Sequence, residues 1–140
     1  MPVFKEICAR ADHYGLGIRL ENHGGISGYP DVLLELIDKV GAPNLKTFID
    51  FGNFPRDLDK YAAVDQMMPS VDMVSAKCYD FNEKGEETHT DFERMFEIIF
   101  DKHHFKGNVH IEWEGKRMSD HDGVAACLAL LKKLRGDRVG

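Results

Sequence analysis

Four short apolar runs set the frame of this chain: GIRLEN at Gly17–Asn22, LKTFIDF at Leu45–Phe51, VDMVSAK at Val71–Lys77 and NVHIEW at Asn108–Trp113. Each alternates its side chains between two faces, which is the period of a β-strand. In the first run Ile18 and Leu20 share one face, and Arg19, Glu21 and His23 the other. In the last, Val109, Ile111 and Trp113 oppose His110, Glu112 and Glu114. All four runs end in or beside polar side chains.

Helical spacing fills the intervals. Pro2–Tyr14 carries Val3, Phe4, Ile7, Cys8 and Ala11 on one stripe, and Gly15 ends it. Pro30 opens a second helix with Val32, Leu33, Leu36, Ile37 and Val40 toward the core and Gly41 after it. A third runs from about Asp57 to Met68 with Leu58, Tyr61 and Ala62, and Pro69 closes it. Thr90 is the expected cap of a fourth, with Glu93 placed for a capping box and Phe92, Met95, Phe96 and Ile99 as its apolar stripe. Lys102, His103 and His104 at its end read as solvated residues favoured by the helix dipole. Ser119 and Asp122 begin the fifth, with Val124, Cys127, Leu128, Leu131 and Leu134 facing the core.

Strands alternating with helices predict a parallel sheet with right-handed crossovers. The repeat of about thirty residues is the size of one βα module. A complete TIM (β/α)8 barrel takes roughly 200–250 residues or more, so the 140 residues here supply about half of one. The expected fold is therefore α/β: a helix followed by four parallel βα units, in a single half-barrel domain spanning 1–140.

The net charge is −6, and the basic residues form no dense run. That argues against a nucleic-acid surface, which needs a positive stripe. No apolar run has the length of a membrane span, and no charged-then-apolar leader opens the sequence. The cysteines Cys8, Cys78 and Cys127 are odd in number and form no CxxC. They read as reduced thiols of a cytoplasmic protein, two of them packed on helices and Cys78 in a loop.

The chemistry collects at the strand ends: Glu21, Asp50, the Ser75–Lys77 segment and Glu112. In a parallel sheet these lie at one edge, where α/β proteins keep their active sites. Converging carboxylates repel unless a positive charge sits among them. A divalent metal is the economical answer; Lys77 is the alternative source of that charge. An all-oxygen set suits Mn²⁺ or Mg²⁺ and does not exclude Zn²⁺ or Co²⁺. Taken as ordinary loop residues, Glu21 and Asp50 would instead cap the helices that follow. His23 reads either as a substrate contact or as a hydrogen-bond partner of a neighbouring carboxylate. Lys77 reads either as a binder of a substrate phosphate or carboxylate, or as an ion-pair partner of Asp50 or Glu112. His110, low on its strand, reads as a core residue, as do Trp113, Phe96 and Phe100.

The motifs LENHGG, IDFGN, VSAKCYDF and HIEWEG, in that order and spacing, resemble strands five to eight of the xylose isomerase-like TIM barrels, the sugar phosphate isomerase/epimerase superfamily. The resemblance covers essentially the whole chain and identifies it with the C-terminal half of such a barrel. It implies a divalent metal held by Glu21, Asp50 and Glu112, with Glu112 favoured over Glu114 as the last ligand. Glu21 and Glu112 would double as the acid/base pair that moves a proton beside the carbonyl of a small sugar or sugar phosphate. His23, Asn53, Lys77 and Glu114 would contact the substrate. Two positions depart from the family: Ser75 stands where a histidine ligand is usual, and Asn53 where many relatives carry a substrate-contacting histidine. An AP endonuclease is disfavoured, since it needs more histidine ligands. Half a barrel leaves raw sheet edges and an uncovered face, and a homodimer completing the barrel is the simplest repair. A half-barrel that folds and self-associates without catalysis is the alternative function.

Overall fold

The structure, a computed structural model, describes residues 2–136. Positions 1 and 137–140 of the expected domain lie outside them. The elements follow the expected order: α1 (Pro2–His13), β1 (Ile18–Glu21), a 3-10 turn at Gly25–Gly28, α2 (Pro30–Val40), β2 (Leu45–Asp50), α3 (Lys60–Met67), β3 (Val71–Cys78), α4 (Phe92–Phe96) running into a π-helical stretch at Glu97–Lys102, β4 (Asn108–Trp113) and α5 (Asp120–Gly136). The strands form one sheet in the order β1-β2-β3-β4, and every pair is parallel. This is the α/β half-barrel expected from the alternation of periods.

The helix ends show which local signals decide. Pro30 starts α2, and Gly41 ends it in the left-handed conformation, at φ 65°, with its N–H on the Ile37 carbonyl. The third helix starts later than expected because Asp59 is its cap, its Oδ1 accepting from the N–H groups of Tyr61 at 3.0 Å and Ala62 at 3.3 Å. Pro69 falls in a 3-10 turn, Met68–Ser70, that leads into β3. Asp91, not Thr90, caps α4, its Oδ1 accepting from the Arg94 N–H at 3.0 Å. Thr90 is buried instead, its hydroxyl accepting from Lys60 Nζ at 3.0 Å. Ser119 caps α5, its Oγ accepting from the Asp122 N–H at 3.1 Å.

The two faces of the sheet differ. On one, Ile49, Val74, Ala76 and Cys78 are fully buried under Val64, Met67, Met95, Phe96 and Ile99 from the helical layer. Cys78 is thus the last residue of β3 and not a loop residue, because the strand extends one residue further than expected. All three cysteines are free and buried. The other face carries Arg19, Lys46, Phe48, Asp72, Met73 and His110, which are half-buried or exposed. His110 is exposed, its ring 5.9 Å edge-on from Phe48. The expected core role fails because no layer covers this face among the described residues.

The flanking helices are likewise only partly covered. In α1, Cys8 is buried against α2 and the start of β2 and Ala11 is buried as well, but Val3 and Ile7 are exposed. In α5 the buried stripe is Gly123, Cys127, Leu130 and Leu134, whereas Val124 and Leu128 are exposed. The helix is turned this way by Gly123, which lies flat on the Trp113 indole: a Cβ there would stand 2.1 Å from the ring. Trp113 in turn stacks on Phe81 at 5.9 Å.

Candidate functional site

The register carries the chemistry to one place. Asp50 pairs with Ser75 across β2–β3, and Lys77 with Glu112 across β3–β4. Side chains opposite each other in a parallel ladder share a face. Glu21 ends β1 on that same inner face, so the C-terminal ends of the strands bring Glu21, Asp50 and Glu112 together. One carboxylate oxygen from each lies within 4.8 Å of the others.

Short backbone devices hold this constellation. Asn22, immediately after Glu21, is fully buried. Its side chain donates to the Asp50 carbonyl at 2.9 Å and accepts from the Asp50 N–H at 2.7 Å. The ends of β1 and β2 are locked by this reciprocal pair, as a ladder would lock them. Asn53, in the next turn, bridges the site: its Nδ2 donates to Glu21 Oε1 at 3.0 Å, and its Oδ1 accepts from Lys77 Nζ at 3.0 Å. Gly52 donates to Asp50 Oδ1 at 2.7 Å. A Cβ at Gly52 would lie 2.7 Å from Lys77 Cδ and 2.8 Å from the Tyr79 hydroxyl, so only glycine admits both side chains here.

Lys77 is the positive charge among the carboxylates. Its side chain is 1% exposed, and its Nζ stands 2.9 Å from Glu112 Oε1, 3.2 Å from Glu114 Oε1 and 3.9 Å from Asp50 Oδ2. Burial alone would lower its pKa, but the Glu112, Asp50 and Glu114 carboxylates overcome it and hold it above the ordinary lysine value. Glu112 is held below the usual carboxylate range, because hydrogen bonds from Lys77 and Ser75 outweigh its burial. Ser75 Oγ donates to Glu112 Oε2 at 3.0 Å. Asp50 goes the other way: burial pushes it up to about 7, against the opposing Gly52 N–H and Lys77 ammonium. Its Oδ2 is buried and accepts no hydrogen bond.

That orphaned oxygen tests the fit of a divalent cation. A buried acceptor without a donor is costly to hold, and here it points into a cluster of two further carboxylates. The donors are all oxygen, the chemistry of hard divalent ions. Ser75 is engaged as a donor to Glu112. The residues therefore fit a divalent ion through Glu21, Asp50 and Glu112.

The expected substrate contacts fall in two groups. Asn53, Lys77 and Glu114 border the carboxylates. His23 does not join them: β1 ends at Glu21, Asn22 turns inward, and the strand alternation that would have aimed His23 at the site stops. His23 is exposed, its N–H donating to Ser27 Oγ at 3.2 Å. The sequence reading passed over two residues. Asn22 had a signal, an amide side chain directly at a strand end. Glu87 had none: its buried carboxylate accepts from the N–H groups of Tyr79, Asp80, His89 and Thr90 at 3.0, 3.3, 2.6 and 2.5 Å, and so pins the loop between β3 and α4 beside the site.

No protein-family model matches the sequence, and no curated protein matches it. Solved structures do. A D-tagatose 3-epimerase-like protein superposes with a TM-score of 0.75 at 21% identity, over 95% of this chain and 52% of its own. An L-ribulose 3-epimerase gives 0.73 at 13% identity, over 96% and 54%. The fold is half of a TIM barrel, shared with both epimerase structures. A probable 3-DHS dehydratase of Bacillus anthracis, involved in petrobactin synthesis, gives 0.71 at 18% identity, over 94% and 54%. The half-barrel thus spans about half the length of the solved structures it matches. Among its described residues no helix is long and apolar enough to cross a membrane.

Proposed function

We propose that this half-barrel carries the metal-binding half of a sugar or sugar-phosphate isomerase/epimerase that moves a proton beside a carbonyl. The carrying observation is the convergence of Glu21, Asp50 and Glu112 within 4.8 Å, with Asp50 Oδ2 buried and without a donor. A bound Mn²⁺ or Mg²⁺ supplies polarisation of the substrate oxygens. Glu21 and Glu112 reach the site from the two outer strands, β1 and β4. A sugar seated over the triad therefore meets one carboxylate from each side, as inversion of a carbon centre requires. Glu112, held below the usual carboxylate range, is ionised at neutral pH and is the proton acceptor; Glu21 returns the proton. Asn53, Lys77 and Glu114 contact the sugar.

The uncovered inner face and the exposed residues Val3, Ile7, Val124 and Leu128 on the outermost helices support completion of the barrel by a second copy, as a homodimer. The free cysteines support a cytoplasmic setting. A second reading, a half-barrel that self-associates without turnover, is favoured by one observation: Ser75 occupies the histidine position and donates to Glu112. A Mn²⁺ titration decides between them, run beside light scattering on a sizing column. Saturable binding, lost in Glu112→Gln, together with a dimer mass supports the enzyme. No Mn²⁺ uptake at millimolar concentration overturns it in favour of the second reading.

A further inference from the structure

Lys77 occupies the middle of the very oxygen set that fits a divalent ion, and its partners divide into two kinds. Glu112 and Asp50 belong to the triad, at 2.9 and 3.9 Å from its Nζ. Glu114 and Asn53 do not, at 3.2 and 3.0 Å. An ammonium and a divalent ion compete for Glu112, since two cations a few Å apart repel strongly. The alkyl stem is held in place: Cδ passes against Gly52, with the Tyr79 hydroxyl beside it. The ammonium end alone is free to change partners. Glu114 is well placed to receive it, lying beyond the end of β4 with a side chain 51% exposed.

We propose that Lys77 is a tethered counter-cation of the carboxylate triad, which a divalent ion displaces from Glu112 onto Glu114 and Asn53. The proposal rests on the metal-site reading above and goes beyond it. In the ion-free protein Lys77 neutralises carboxylates that would otherwise repel. When the ion enters, one close ion pair is broken and two existing contacts are kept. Lys77 is then a positioning residue that sets how tightly the ion is held, and Glu114 is its resting place. The exchange also leaves the ammonium at the rim of the site, where an anionic group on a substrate would meet it.

Mn²⁺ affinity, read by electron paramagnetic resonance of the free ion, tests this in the wild type, Lys77→Met and Glu114→Gln. Removing the competitor in Lys77→Met is expected to tighten Mn²⁺ binding by about tenfold. Glu114→Gln, which leaves Lys77 without its outside carboxylate, is expected to weaken binding several-fold. Unchanged or weaker affinity in Lys77→Met overturns the exchange while leaving the metal site standing. No binding to wild type or Lys77→Met at millimolar Mn²⁺ overturns the metal site itself, and the exchange with it. Should Lys77→Met not fold by circular dichroism, the exposed Glu114 position decides: affinity equal to wild type overturns the proposal, and weakened affinity supports it.

Discussion

The inner face of the sheet carries two charge clusters, one at each end of the strands, and they are built on opposite plans. At the N-terminal end one carboxylate, Asp72, is shared by two cations. Arg19 grips it with both arms, Nε at 2.6 Å and Nη2 in a shorter contact, and Lys46 adds an ion pair at 3.7 Å. At the C-terminal end Asp50, Glu112 and Glu114 share the ammonium of Lys77, with the Glu21 carboxylate beside them. The lower cluster has its acceptors satisfied by a bidentate guanidinium, the strong form of such a pair. The upper one leaves a buried oxygen of Asp50 without a donor. Charge at a strand end is therefore not by itself a sign of function. An imbalance, held in place by buried neighbours, is what supports the metal-site proposal at the upper cluster.

Breaking the upper cluster gives the largest expected effect. Asp50→Asn should weaken Mn²⁺ binding by at least the roughly 10–100-fold that loss of a supporting metal-site partner costs. In the ion-free protein the same change should act in the other direction. The folded state raises the Asp50 pKa from its ordinary 3.8 to about 7, so it binds the proton more tightly than the unfolded chain does. Its contribution to stability is therefore lost as pH rises from about 4 to 7. Thermal melts in chelator should show Asp50→Asn gaining on wild type across that window and holding a constant lead above it. A lead that is flat with pH would sink the assignment.

Gly52→Ala comes next. The added methyl would collide with the Lys77 stem and the Tyr79 ring, and an overpacked site of this kind costs about 1–3 kcal/mol. Denaturant unfolding and Mn²⁺ affinity should both change, since the residue serves fold and site together. Asp72→Ala should separate the two clusters. It strands the half-buried Arg19 guanidinium and is expected to lower stability by about 1–2 kcal/mol, with Mn²⁺ affinity unchanged. A large loss of ion binding would show that the clusters are coupled and that the contrast between them is false.

The smallest effect belongs to a trio of residues remote from both clusters. Asp65 on α3 takes Lys102 and His103, each at 2.6 Å, from the end of the π-helical stretch. Their hydrogen bonds hold its carboxyl below the ordinary value. A lowered carboxylate contributes stability above its unfolded pKa and loses it as pH falls through the folded one. Asp65→Asn should then cost under about 1 kcal/mol at pH 6, and nothing near pH 2 by thermal melts.

The alternation of strand and helix periods and the placement of Glu21, Asp50 and Glu112 at strand ends were legible because they depend on local order in the chain. Lys77 was legible only as one of two sources of positive charge. At His23, Thr90, Val124 and Leu128 a neighbour overrides the local signal. Asn22 ends the alternation at His23, Asp91 takes the cap from Thr90, and Gly123 rotates α5 away from Val124 and Leu128. At His110 the period held, but the face it indicates is uncovered.

The sequence by itself determined a parallel α/β half-barrel and the edge of the sheet at which its carboxylates meet, because side-chain alternation and strand direction follow from backbone geometry alone. Only the tertiary structure decided that Lys77 lies among those carboxylates, that Asp50 keeps a buried oxygen that accepts no hydrogen bond, and that Glu87 fixes the loop beside them. Those facts depend on register between strands and on burial, which are set by pairing across the sheet and by packing between residues far apart in the chain.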